Sequence, residues 1–147
     1  MTRRLFPLAL ASLLAAFVPG CGDDTPTAPS EVTGSAPFSS TDLIAGTGAE
    51  ASAGQRISVN YTGWLYSNSA TENKGRQFDS SAGRGLFSFV LGTNAVIRGW
   101  DQGVPGMRVG GRRRLVIPPE LAYGSTGQGA IPPNATVLFE VELVSIP

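Results

Sequence analysis

A chain of 147 residues with 11 basic and 11 acidic side chains has room for one domain and a tail, and it offers no basic footprint for nucleic acid. It contains no His and one Cys, which excludes Ser-His and Cys-His nucleophilic pairs, His-based proton shuttling, the usual zinc ligand sets and an intrachain disulfide. Its 19 glycines, with Leu, Ile, Val and Phe making up about a quarter of the chain, favour a folded, turn-rich β domain over a helical bundle. Any chemistry must come from carboxylates, hydroxyls, aromatic rings and backbone groups.

Arg3 and Arg4 precede an uncharged, Leu- and Ala-rich run from Leu5 to Gly20, the pattern of a secretory signal over residues 1–20. The run is too short, and too soon followed by acidic residues, for a membrane-spanning helix. Thr2 to Phe6 also fits a twin-arginine signal, so the export route stays open between that and general secretion. Val18-Pro19-Gly20-Cys21 resembles the lipobox of bacterial lipoproteins, with Pro19 departing from the usual small or β-branched residue. That resemblance implies lipidation of Cys21, several acyl chains anchoring stably where one does not; cleavage that leaves a free thiol is the alternative. Gly22 carries no retention signal, which points to an outer membrane where a cell has one. Loss of Arg3 and Arg4 leaves 9 basic and 11 acidic residues, a net charge of −2. Residues 21–37, rich in Asp, Thr, Pro, Ser and Ala, read as a flexible tether. Nothing in them suggests a dimerisation arm, so a monomer is expected.

Asp42-Leu43-Ile44 predicts a first edge strand. Gly46 to Ala51 mimics the glycine pattern of a dinucleotide-binding turn, but Gly54 arrives before a helix of useful length, so an ordinary turn is predicted. From Arg56 to Tyr66 the residues alternate: Ile57, Val59, Tyr61, Gly63 and Leu65 fall on one face, Ser58, Asn60 and Thr62 on the other, as in a half-buried strand. Ser67 to Arg76 is polar and reads as a loop; Gln77 to Ser81 resumes a strand, Ala82 to Leu86 turns, and Phe87 to Leu91 forms another strand ended by Gly92. Val96 to Val104 predicts about two helical turns with Trp100 near the start and Gly103 near the end. Such a helix either plugs a β-core with its indole or sets that ring and an exposed backbone N–H beside a cavity. Pro105-Gly106 and Gly110-Gly111 mark turns.

Arg112-Arg113-Arg114 leads into Leu115-Val116-Ile117, and Pro118-Pro119 ends that strand. Alternate strand residues face opposite ways, so the Arg run reads as a solvated, salt-bridged strand end rather than a patch for nucleic acid or anionic lipid. Glu120 to Pro133 is a long Gly-rich loop holding Tyr123 and Ile131. Val137 to Ile146 closes the chain as a strand with Phe139, Val141 and Leu143 inward and Glu140 and Glu142 outward. The sum is an α+β domain over residues 38–147, an antiparallel five- to six-stranded sheet wrapped around one short helix.

The motifs Val59-Asn60-Tyr61-Thr62-Gly63, Phe78-Asp79-Ser80-Ser81, Val96-Ile97-Arg98-Gly99-Trp100, Ile117 to Gly124 and Ile131 to Phe139 follow one another in this order. On them the chain from Asp42 onward resembles an FKBP-type peptidyl-prolyl cis-trans isomerase. The resemblance implies a pocket walled by Tyr61, Phe78, Phe87, Val96, Ile97, Tyr123, Ile131 and Phe139, with Trp100 as floor and Asp79 as the polar residue inside. Of these, Tyr61, Asp79, Ile97, Trp100, Tyr123 and Phe139 are the candidates for acting on an X-Pro bond. Phe78, Arg84, Phe87, Val96 and Ile131 are the candidates for holding the substrate. Arg84 matches a family Arg that pairs on the Asp side, with the following turn one residue shorter here. Ala95 stands for a common acidic residue and Gln128 for a frequent His, and the Ser67 to Gln77 loop is longer than in the minimal domain.

The same resemblance implies no cofactor and no metal, macrolide inhibitors of the family as ligands, and unfolded or partly folded proteins with X-Pro bonds as substrates. Together with the N-terminal pattern it gives the expectation of a lipid-anchored folding isomerase on the periplasmic face of a bacterial membrane. Two alternatives stay open: a non-catalytic proline-peptide binder or holdase chaperone using the same pocket, and an anchored structural lipoprotein.

Overall fold

A computed structural model describes residues 34–147; the expected export signal, Cys21 and the expected tether as far as Thr33 lie outside the described residues. The strands are β1 (Ser39–Ile44), β2 (Arg56–Tyr66), β3 (Lys74–Ser80), β4 (Phe87–Val90), β5 (Arg112–Ile117) and β6 (Val137–Ser145), with helix α1 (Arg98–Gly103) between β4 and β5. Short 3-10 turns occupy Thr71–Asn73 and Pro119–Leu121. All pairings are antiparallel, in the order β1-β5-β6-β2-β3, with β4 also on β2. One edge of β2 therefore serves two strands: Arg56–Val59 pairs with β4, and Thr62 to Tyr66 pairs with β3. The break between them falls beside Tyr61, which opens the sheet there.

The alternation read in β2 and β6 is what builds the core. Ile57, Val59 and Leu65 of β2, Leu115 and Ile117 of β5, and Val137, Val141 and Leu143 of β6 are all buried on the concave face. Each such burial is worth roughly 1.5–3 kcal/mol against leaving the side chain in water. Glu140 and Glu142 face the other way, toward the arginines of β5.

Helix α1 has six residues, shorter than the two turns expected, and it sits on β5 through glycine. A Cβ at Gly99 would overlap the Ile117 side chain, and one at Gly103 would stand 2.5 Å from Leu115 Cδ2. Residues four apart share a helix face, so this glycine face lies flat on the sheet. Gly103 is thus a packing residue as well as the helix end. Arg113 ties the same end down: Nη1 donates to the carbonyls of Gly103 (2.8 Å) and Pro105 (3.1 Å), and Nε meets Asp42 Oδ1 at 2.6 Å. A cation on the last carbonyls of a helix also suits its dipole.

Each arginine of the run is paired, Arg112 with Glu142 (3.5 Å), Arg113 with Asp42 and Arg114 with Glu140 (3.0 Å). Strand boundaries differ from the sequence reading, β3 and β6 each ending one residue early, at Ser80 and Ser145. β1 begins at Ser39 rather than Asp42, and β4 ends at Val90, one residue before Leu91. β3 begins at Lys74 rather than Gln77 because ion pairs, not apolar alternation, hold its start. Lys74 meets Glu140 (2.8 Å) and stands 4.8 Å over the Trp64 ring, and Glu72 reaches Arg114 (2.9 Å). The longer Ser67 to Gln77 segment is in this way drawn against the outer face of the sheet.

Candidate active site

Between the break in the sheet, α1 and the loop after β5 lies a cavity of about 450 Å³. Tyr61, Asp79, Ile97, Trp100, Tyr123 and Phe139 all line it, together with Phe87, Val96, Ala95 and Gln128. Three of the residues expected to hold the substrate do not line it. Phe78 packs edge-on behind Phe139, ring centroids 5.5 Å apart. Ile131 is buried in the core, its backbone closing a small hairpin with Gln128. Arg84 lies at the side, joined to Asp79.

Trp100 is buried with three rings standing on edge about it: Tyr61 at 5.2 Å and 79°, Phe139 at 5.2 Å and 90°, Phe87 at 6.1 Å and 81°. Phe89 supports the indole from the core at 5.6 Å. Edge-to-face packing of this kind is a preferred aromatic geometry, and here it makes a box with a flat floor. Among the described residues the indole Nε1 has no hydrogen-bond partner, so the floor offers a ring face and no polar tie. Gly63 makes the box possible: a Cβ there would stand 2.6 Å from the Phe139 ring and 2.8 Å from that of Phe78.

One wall is polar. The Tyr61 hydroxyl donates to Asp79 Oδ2 at 2.7 Å, the Ser80 N–H donates to Oδ1 at 2.8 Å, and the Arg84 guanidinium bonds the same carboxylate. Burial pushes the Asp79 carboxyl up, but the hydrogen bonds from Tyr61, Arg84 and Ser80 with the Arg84 charge outweigh it, leaving the group below the ordinary carboxylate range. Burial first, then the bond to Asp79 and its negative charge, push the Tyr61 phenol up to about 12. Burial and the charge of Asp79 also raise Tyr123. Across neutral pH the wall is one fixed carboxylate and two neutral phenols.

Two donors facing this wall are unengaged. Among the described residues neither the Ile97 N–H nor the Tyr123 hydroxyl has a hydrogen-bond partner. Ile97 caps α1 in an extended conformation (φ −58°, ψ 151°), its carbonyl accepting from Trp100 N–H, which leaves its own N–H outside the helix. Tyr123 is held by its backbone, its carbonyl accepting from Gly127 N–H at 3.2 Å, so the hydroxyl end stands clear.

Three positioning residues escaped the sequence reading. Asp101 accepts from Gly92 N–H (2.8 Å) on Oδ1 and from Asn94 N–H (3.0 Å) on Oδ2, fixing the loop that carries Ala95 and Val96 to the helix that carries Trp100. Ser81 brackets Tyr61, its N–H donating to the Tyr61 carbonyl and its Oγ accepting the Tyr61 N–H, both at 3.0 Å. Arg76 donates to the Ala130 carbonyl at 2.7 Å, linking β3 to the loop that carries Tyr123 and Gln128. A Ser-Ser after Phe-Asp and an acidic residue after Trp are visible in the sequence, but no periodicity marks bonds to backbone groups of other elements.

Residues 48–144 match the family model of the FKBP-type peptidyl-prolyl cis-trans isomerase. The chain is 50% identical over 107 residues to the FK506-binding protein of Neisseria meningitidis serogroup A, covering 71% of this chain and 92% of that protein. It is 46% identical over 107 residues to FK506-binding protein 1 of Gibberella zeae, covering 72% of this chain and 95% of the relative. Its structure is similar to the crystal structure of AtFKBP13, with a TM-score of 0.65 at 41% identity over 75% of this chain and 93% of the other. It is also similar to FkpA from Escherichia coli, with a TM-score of 0.62 at 39% identity over 74% of this chain and 47% of the other. Identity at this level, with the family match over residues 48–144, makes the chain a member of the FKBP-type peptidyl-prolyl cis-trans isomerase family.

Proposed function

We propose that the aromatic box binds the prolyl ring of an X-Pro segment and that the chain thereby accelerates proline isomerisation in proteins folding outside the cytoplasm. The observation that carries this is the box itself: an indole floor, three edge-on rings, one fixed carboxylate and two unengaged donors around a single cavity. Rotation about the X-Pro bond faces a barrier of roughly 18–20 kcal/mol because the nitrogen lone pair is delocalised into the carbonyl. Twisting removes that resonance and reduces the charge separation of the amide, so an apolar enclosure favours the twisted form over the planar one. In this reading the prolyl ring lies on Trp100 between Tyr61, Phe87 and Phe139. The carbonyl before proline meets the Ile97 N–H and the Tyr123 hydroxyl, while Asp79 and Tyr61 polarise the opposite side.

The step needs no acid, base or nucleophile, in keeping with a chain that has no His. Each ~1.4 kcal/mol removed from the barrier is tenfold in rate, so a preference of about 4–7 kcal/mol for the twisted amide gives about three to five orders of magnitude. The test is turnover of a short prolyl peptide by the full chain, with a family macrolide added. Acceleration that the macrolide abolishes is expected. Peptide binding without acceleration favours the holdase alternative, and a pocket that takes neither ligand favours the structural one.

A further inference from the structure

The central cavity has a neighbour. A second cleft, of about 550 Å³, shares Val96, Ile97 and Tyr123 with it and continues outward between Asn94, Arg98 and Glu120. The shared wall is a saddle that carries the two unengaged donors, so a chain whose carbonyl rests on them has one side in the aromatic box and the other in this cleft. Its mouth is polar in an unusual way. Asn94, Arg98 and Glu120 are exposed, and among the described residues none of their side-chain polar groups has a hydrogen-bond or ion-pair partner. The chain's other clustered charges on β5, β6 and β3 are spent on one another.

Arg98 offers only donors, Glu120 only acceptors and Asn94 both. That set matches the alternating N–H and C=O groups of an extended peptide rather than any one side chain. We infer that the second cleft is a subsite for the backbone of the residues ahead of the X-Pro pair, which makes the chain a reader of substrate length rather than of sequence. The inference rests on the proposed placing of the prolyl ring on Trp100 and adds to it the path of the preceding chain. Arg98 becomes a binding residue for longer substrates only.

The experiment compares kcat/KM of the full chain for a short prolyl peptide with that for the same peptide extended on its N-terminal side by about three residues, a reach of about 10 Å. A control peptide is extended on the other side of proline. The ratio of long to short cancels any difference in active fraction between preparations. On the order of a tenfold gain, carried by KM, is expected for the N-terminal extension, the worth of one or two hydrogen bonds. It should be insensitive to the sequence added and fall to about one in Arg98→Ala/Glu120→Ala. A wild-type ratio of about one, a gain confined to the C-terminal extension, or a gain that survives in the double variant overturns the inference. If neither peptide is turned over, the proposed activity fails. The same ratio taken from dissociation constants by tryptophan fluorescence then decides the subsite by the same criteria.

Discussion

Tyr61 and Asp79 face each other across 2.7 Å with opposite displacements of their titrations, and this sets how the cavity responds to pH. Asp79 is lowered in the fold, so its contribution to stability is present above the ordinary carboxylate value near 4 and is lost as pH falls through the lowered value. Tyr61 is raised, so its contribution is present below about pH 10 and is lost as pH rises toward about 12. Between these limits no lining group changes charge, and turnover is expected to be flat from about pH 5 to pH 9. A bell-shaped profile in that window would show acid-base chemistry that this site does not hold. An absorbance titration of the three tyrosines should show one phenol ionising near 12 that disappears in Tyr61→Phe.

Asp101→Ala frees the Gly92 to Asn94 loop and should raise KM severalfold with kcat little changed, read from peptide kinetics. Tyr61, Asp79, Val96, Ile97, Trp100, Tyr123 and Phe139 could be grouped from the sequence because they sit in contiguous motifs. Asp101, Ser81 and Arg76 were not, since their partners lie 9, 20 and 54 positions away.

Among the elements, α1 is the one whose placing depends on absent side chains. Gly99→Ala puts a methyl into Ile117 and should destabilise the fold by about 1–3 kcal/mol, the usual cost of overpacking, in a denaturant titration. Because the helix then rides off β5, Trp100 moves with it, and turnover should fall along with stability. β2 and β6 could be read from alternation because the core face of each is apolar and buried while the other carries mostly polar, less buried residues. The start of β3 could not, since Lys74, Gly75 and Arg76 carry no apolar face, Lys74 being held by Glu140 of β6 and Arg76 by the Ala130 carbonyl.

For the whole molecule, the sheet order was beyond local pattern. β6, last in the chain, inserts between β5 and β2, and a period of two residues says nothing about which strand pairs with which. Location is legible only in residues 1–21, outside the described residues. The lipid-anchor reading expects the protein in the membrane fraction, shifting to the soluble extracytoplasmic fraction in Cys21→Ser; an unchanged distribution would remove Cys21 from the account.

In the proposed mechanism an apolar aromatic box, not proton transfer, lowers the barrier to X-Pro rotation. Its most direct measurement is the isomerisation rate of a short prolyl peptide with wild type, Trp100→Leu and Phe139→Ala, each first shown to be folded by circular dichroism. The expected result is a loss of at least about tenfold in kcat/KM for each variant, corresponding to ~1.4 kcal/mol or more of transition-state stabilisation. Rates equal to wild type in both folded variants would contradict it.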